Sequence, residues 1–385
     1  MNVTLADWKP TKKQLNNVSK VMKSGRLTYG PFTRELEEKF AQKHDFKHAI
    51  FTNSGTSALQ VSWHYLKDKH GWKDGSEVLV SAVTFVATIN TILQNNLKPV
   101  LVDVDWETYN IDPELIESKI TKKTVAICPV NLLGRPVDIL AIKKIAKRYN
   151  LKIVEDSCET MFVDYPGTVS PVGSRADIAC YSSYLAHIIS TGVGGFICTN
   201  SDSAERYMRS MIWHGRDDSY LHIDANKTVP LKDLIHLRFK FAKPGYSYRL
   251  TELEAAIGVD EVDRSDEIIY KRNVNADYLN RQLLPLIEKI QLPKMDEDNA
   301  WMFFPIVCNG GVDRDKLCLF LEEKGIQTRM IMPLINQSVY KGLWNPNDYP
   351  IAQWLDKKGF LVGIHHYLKR ADLDYIAKCI SEYFE

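Results

Sequence analysis

His187 stands in a short loop between two apolar runs, Ile178-Ala-Cys-Tyr181, followed by the pair Ser182-Ser183, and Gly195-Phe-Ile-Cys-Thr199. An imidazole with its ordinary pKa of about 6.5 moves protons at neutral pH without further tuning. Upstream, the run Lys152–Val154 ends in Glu155-Asp156-Ser-Cys-Glu159. Carboxylates at the C-terminal end of a parallel strand sit where α/β proteins place their ligands. Further upstream, Asn53-Ser-Gly-Thr-Ser57 follows the apolar Ala49–Phe51 and opens a helical pattern. Backbone N–H groups at a helix N-terminus, flanked by hydroxyls and a glycine, suit a phosphate, although Ser and Thr there more often serve as plain N-caps.

The elements that must position these groups alternate. Strand patterns fall at Val78–Val80, Pro99–Val104, Thr124–Cys128, Lys152–Glu155, Ile178–Tyr181 and Gly195–Thr199, with helical spacing at Ser57–Leu66 and Ile139–Arg148 between them. Leu59, Trp63 and Leu66 share one helix face. Near-continuous apolar strands separated by helices predict an α/β fold with a mostly parallel central sheet covered on both sides. The segment Lys243–Tyr248 leads into a helix at Thr251–Asp263 and a long charged helix. Beyond these come strand-like Trp301–Cys308, a helix at Asp313–Lys324, and strands near Ile326–Ile331 and Phe360–Gly363, which predict a smaller C-terminal α+β domain. The expected division is 1–255 and 256–385.

A chain of 385 residues is long enough for two such units. A net charge of +1 offers no steering toward nucleic acid or an acidic membrane. No run reaches the length of a signal peptide core or a membrane helix, so a cytoplasmic location is the default. The cysteines at 128, 158, 180, 198, 308, 318 and 379 form no C-x-x-C pair and lie mostly in apolar runs. They read as reduced core residues rather than disulfides, a zinc site or iron–sulfur ligands. His214, His365 and His366 have no metal-ligand spacing and read as surface or substrate-loop histidines; no metal is expected.

Taken in order, these motifs resemble the DegT/DnrJ/EryC1/StrS sugar aminotransferase family, whose fold is the fold-type-I, aspartate-aminotransferase-like one. Its members use pyridoxal phosphate (PLP), bound through a lysine in Ser-x-x-x-x-Lys followed by Thr-x-x-x-Gly-Gly. Here Ser182 keeps the serine position and His187 replaces the lysine. The stretch Gly245-Tyr-Ser-Tyr-Arg249-Leu-Thr-Glu-Leu-Glu-Ala-Ala-Ile-Gly258 is similar to another family motif, as are Gly25-Arg-Leu-Thr-Tyr-Gly30 and Trp213-His-Gly-Arg216. The resemblance implies that Gly55, Thr56 and Ser182 hold the cofactor phosphate and that Phe85 stacks on the pyridine ring. It implies that Asp156 faces the ring nitrogen, where a carboxylate keeps the ring protonated as an electron sink. Glu159 falls near the ring hydroxyl, where relatives often carry Gln or His. Ser247 stands where relatives place an asparagine that reaches a second subunit's cofactor, so a homodimer with a shared active site is implied. Tyr29, His214 and Arg249 fall on the substrate side, Arg249 being equally compatible with a structural pairing to a carboxylate. Glu155 is left without a role, as a helix-entry or surface carboxylate.

Histidine cannot hold PLP covalently as a lysine amine does, yet it still transfers protons. Family members with histidine at this position imply a 3-dehydratase acting on a 4-keto-6-deoxy nucleotide sugar, with GDP-4-keto-6-deoxy-mannose as the expected substrate. The pyridoxamine form (PMP) would be the working cofactor, regenerated by L-glutamate. A sugar-nucleotide aminotransferase with lysine replaced, a catalytically inactive PLP-binding regulatory protein, and an iron–sulfur-assisted dehydratase stay open as alternatives.

Overall fold

In the computed structural model, residues 2–217, 230, 232, 239–296, 298–332 and 334–385 are described. Seven strands form the larger sheet: β1 (His48–Thr52), β2 (Glu77–Ser81), β3 (Lys98–Val102), β4 (Thr124–Cys128), β5 (Lys152–Asp156), β6 (Ile178–Ser182) and β7 (Gly195–Thr199). Their order is β1-β7-β6-β5-β4-β2-β3. Strand β7 runs antiparallel to both β1 and β6, and the remaining pairings are parallel.

The apolar runs follow from this arrangement. Successive side chains of a strand point to opposite faces, and here both faces are covered. Val78, Val80, Ala126, Cys128 and Val154 join one core with Leu59, Trp63 and Leu66 of the helix Gly55–His70. Leu79, Ile127 and Ile153 join another with Ile142 and Ile145 of the helix Ile139–Tyr149. Helix Gly55–His70 starts at a Ser54 cap, whose hydroxyl accepts from the Ser57 amide at 3.0 Å, and ends at Gly71 in the left-handed region.

A second, antiparallel sheet contains β8 (Ile290–Gln291), β9 (Phe304–Cys308), β10 (Thr328–Met330) and β11 (Gly359–Val362), in the order β10-β11-β9-β8. Leu279 and Leu283 of the helix Ser265–Leu283 and Leu373 and Ile376 of Arg370–Phe384 pack on it with Phe304 and Phe360. Val3 bridges to Ile326, so the start of the chain joins this layer. We propose that the two units part near Arg264: the helix Glu252–Asp263 packs on helices Lys12–Ser24 and Pro31–Lys43 beside the larger sheet, so a division after residue 255 would cut it. The cysteines are free thiols, buried or half-buried. Among the described residues no helix is long and apolar enough to cross a membrane.

One carboxylate joins the two ends of the larger unit. The helix Pro31–Lys43 begins at Gly30, which has no side chain to cap it. Glu252 does this from far along the chain, accepting from the amides of Gly30 (2.7 Å), Phe32 (2.9 Å) and Thr33 (2.8 Å) and from the Thr33 hydroxyl. Glu252→Ala strands these donors in a buried setting and is expected to cost about 2–4 kcal/mol, with Glu252→Gln losing about half as much. Urea unfolding of the three proteins measures it; a loss below about 1 kcal/mol for alanine would mean that water replaces the carboxylate.

Candidate active site

A cavity of about 340 Å³ opens at the C-terminal ends of β5 and β6, against the first turn of helix Gly55–His70. Gly55, Thr56, Phe85, Asp156, Glu159, Ser182 and His187, expected from sequence to act together, all line it. Thr56 is exposed to the cavity at the helix start, where amides and the helix dipole favour an anion. The approach is tight because Gly195 on β7 lies against the Ser54–Gly55 backbone: a Cβ at Gly195 would come within 2.5 Å of the Gly55 nitrogen. Phe85 caps no hydrogen bond at the start of helix Val86–Gln94, and its ring is left 58% exposed at the cavity wall. A bare aromatic face beside a buried carboxylate and a helix N-terminus fits a planar cationic ring carrying a phosphate.

Asp156 ends β5 with its side chain buried. Thr88 donates its hydroxyl to Oδ2 at 2.7 Å, Thr84 supports Thr88 at 2.7 Å, and the Cys158 amide donates to Oδ1 at 3.2 Å. Burial still dominates and raises its pKa. The threonines escaped the sequence analysis, although their spacing of one helical turn beside Phe85 was a usable signal. Glu155 is a correction: it is fully buried, bonded to Asn131, Ser157 and Tyr165, and braces the loop after β4.

Glu159 accepts from the Leu133 amide at 2.8 Å, and burial, with the nearby Asp156 charge, pushes its pKa up to about 7. In an unfolded chain a glutamate ionises at about 4.3. Below that value both states hold the proton; above it the folded state retains what the unfolded chain releases. The cofactor-free protein therefore loses stability as pH rises, levelling off past about 7. Glu159→Gln is expected to raise its unfolding free energy by about 1–3 kcal/mol at pH 8 and by almost nothing at pH 4. Equal gains at both pH values in denaturant titrations would assign the effect to packing instead.

His187 sits half-buried in the cavity wall. Its surroundings do more than the sequence required. Desolvation, then the Arg272 charge, lower its pKa to about 4, against a hydrogen bond to the Cys158 backbone. Nδ1 is buried without a hydrogen-bond partner among the described residues. The result is a neutral imidazole, a base rather than an imidazolium, across the physiological range.

The remaining expected residues gather elsewhere. Arg249 lies over the Trp213 ring at 4.9 Å and donates toward His214 Nε2 (3.3 Å) and Ser247 Oγ (3.4 Å), and among the described residues it pairs with these groups and with no carboxylate. Tyr29 stands edge-on to Trp213 at 5.7 Å, while its hydroxyl meets Glu37 and Arg209 at 3.3 and 3.2 Å. This cluster adjoins the end of the cavity at the helix Gly55–His70 through the Asn53 amide, which donates to the Tyr248 carbonyl at 2.8 Å. His365 is another correction: it is buried, with Nε2 3.2 Å from the Thr4 carbonyl, and is no surface residue.

A mixed, mostly parallel sheet between helices, backed by a second α+β unit, is the PLP-dependent aminotransferase fold. The chain belongs to the DegT/DnrJ/EryC1/StrS aminotransferase family, whose pattern matches residues 9–381. The lipopolysaccharide biosynthesis protein RfbH of Salmonella typhimurium is 31% identical over 397 residues, covering 97% of this chain and 89% of its own. The GDP-4-keto-6-deoxy-D-mannose 3-dehydratase of Yersinia pseudotuberculosis is 31% identical over 383 residues, covering 95% and 94%. A crystal structure of GDP-4-keto-6-deoxymannose-3-dehydratase with PLP and glutamate trapped as a geminal diamine superposes with a TM-score of 0.89 at 27% identity, covering 98% of this chain and all of the other.

Proposed function

We propose that this chain is a PLP-dependent nucleotide-sugar 3-dehydratase. It removes the C3 hydroxyl of a 4-keto-6-deoxy nucleotide sugar, GDP-4-keto-6-deoxy-mannose, with PMP as the working cofactor and L-glutamate restoring it. The observation that carries this reading is His187, a neutral imidazole in the lysine position of an otherwise furnished cavity. The similarity to a 3-dehydratase along nearly the whole chain supports it.

When bound, the cofactor supplies an amino group for the sugar ketone and an electron sink beside it. The protein does the rest. The first-turn amides at Gly55 and Thr56, with the Ser182 hydroxyl, hold the phosphate. Phe85 covers the ring face. Asp156, fixed by Thr88 and the Cys158 amide, keeps the ring nitrogen protonated. Glu159, its pKa pushed up by burial, hydrogen-bonds the ring hydroxyl. His187 takes a proton as base and returns it to the departing C3 hydroxyl as acid. Having no amine, it does not compete with the substrate for the cofactor's C4′ carbon. The Ser247, Arg249, His214 and Tyr29 cluster binds the substrate side, and in a homodimer Ser247 reaches the phosphate of the second site.

Incubating the protein with PLP, L-glutamate and GDP-4-keto-6-deoxy-mannose and weighing the product tests the reading. Loss of the C3 oxygen with release of ammonia is expected. Gain of an amino group at C4 with the C3 oxygen retained would make it an aminotransferase, and an unchanged sugar would favour a cofactor-binding protein without this activity.

A further inference from the structure

Arg272 lies in the helix Ser265–Leu283 and is 3% exposed. Its hydrogen bonds run to backbone carbonyls. Nη1 donates to Trp301 at 2.9 Å and to Met302 at 3.0 Å, and Nη2 donates to His187 at 3.3 Å. Nε has no hydrogen-bond partner among the described residues. Met302 lines the cavity beside His187. The same short segment is bonded from the other side, since the Ala300 amide donates to Gly134 at 2.7 Å and the Met302 amide to Leu133 at 3.1 Å. Leu133 in turn donates to Glu159. A chain of hydrogen bonds therefore runs from the His187 loop through Arg272 to the cavity wall and on to Glu159.

We propose that Arg272 is a positioning residue for the reaction: its fork locks the His187 carbonyl, and with it the imidazole, to the backbone at Trp301 and Met302. This rests on His187 being the proton carrier. A buried guanidinium is an expensive way to bind carbonyls alone, and the charge has a second effect. It faces the imidazole and disfavours its protonation, so the ring arrives at each turnover as a base. Other groups among the described residues also surround the ring. Cys158 offers its carbonyl, Tyr184 turns its ring edgewise at 6.3 Å, and Asp156 and Glu159 line the same cavity. Arg272 itself is faced by Glu261, whose charge acts on it, and its own charge acts on His365 and His366.

The test uses the full chain, first without cofactor. Proton NMR of the imidazole signals, with His187 assigned through its asparagine variant, reads its titration directly. In the unaltered protein a midpoint near about 4 is expected, and a midpoint at or above about 6.5 overturns the proposal whatever any variant does. Arg272→Met is expected to move the midpoint up by about one pH unit, whereas Arg272→Lys, which keeps the charge, leaves it nearly in place. In the cofactor-loaded protein, Arg272→Met should lower kcat about 10–100-fold and shift its acid limb upward, with lysine recovering the limb but only part of the rate. Loss of rate with the titration and acid limb unmoved would reduce Arg272 to a structural tie. Failure of the dehydratase reading would appear in the product mass and leave the cofactor-free titration unchanged.

Discussion

His187→Asn is expected to lower dehydration turnover by roughly 10²–10⁴-fold while leaving the protein folded and able to take up cofactor. Asparagine fills similar space in the cavity wall and offers polar atoms, but it neither accepts nor releases a proton at working pH. The loss should fall on kcat with KM nearly constant, because in the proposed reaction His187 serves proton transfer and not the phosphate, ring or carboxylate contacts that would hold cofactor. Single-turnover measurement of the 3-deoxy product, beside the cofactor's absorption spectrum, separates the two quantities. A variant within tenfold of the parent rate would show that another group, Glu159 or a water, moves the proton.

Asp156→Asn should act in two directions at once. In the cofactor-free protein the buried carboxylate is held above its ordinary pKa chiefly by desolvation. It therefore costs stability once the pH exceeds the unfolded value, and a neutral amide removes that cost. The empty variant is expected to be at least as stable as the parent at pH 8. Cofactor binding should weaken by about 2–5 kcal/mol, because the cationic ring nitrogen loses its buried partner. Turnover should fall as well, since an amide does not maintain the ring protonation that makes it an electron sink. Thermal unfolding with and without PLP measures both signs in one series. A variant destabilised in the empty state and unaltered in PLP affinity would show that Asp156 supports the fold and not the ring.

The parallel layer was readable because its strands are buried on both faces. Thr124–Cys128 and Gly195–Thr199 have the expected bounds, β5 and β6 are longer by one residue at one end, and β2 is longer by one residue at each end. Helix Lys12–Ser24 was not readable, since the face it buries is mostly polar: beside Val21, Gln14 donates to Glu261 at 2.7 Å and Asn17 to the Ala256 carbonyl at 3.3 Å. Trp301–Cys308 reads as one strand, but only Phe304–Cys308 pairs. Trp301 takes a positive φ of 45°, turning the preceding backbone toward Gly134 and Arg272. The site divides in the same way. Residues that line the cavity are recognisable by type and position, whereas Asn131 and Arg272 act through partners remote in sequence and leave no local pattern.

The reversed direction of β7 has a practical consequence for redesign. Because β6 runs up and β7 runs down beside it, the loop from 183 to 194 leaves and re-enters the sheet on adjacent strands, with Ser182 and Gly195 in register. Its two ends are thus clamped as neighbours, independently of what lies between them. The segment is placed to serve as an exchangeable cartridge: under the proposed function, the residue that decides between proton relay and covalent cofactor attachment would be swapped there while Ser182 and the start of helix Gly55–His70 stay put.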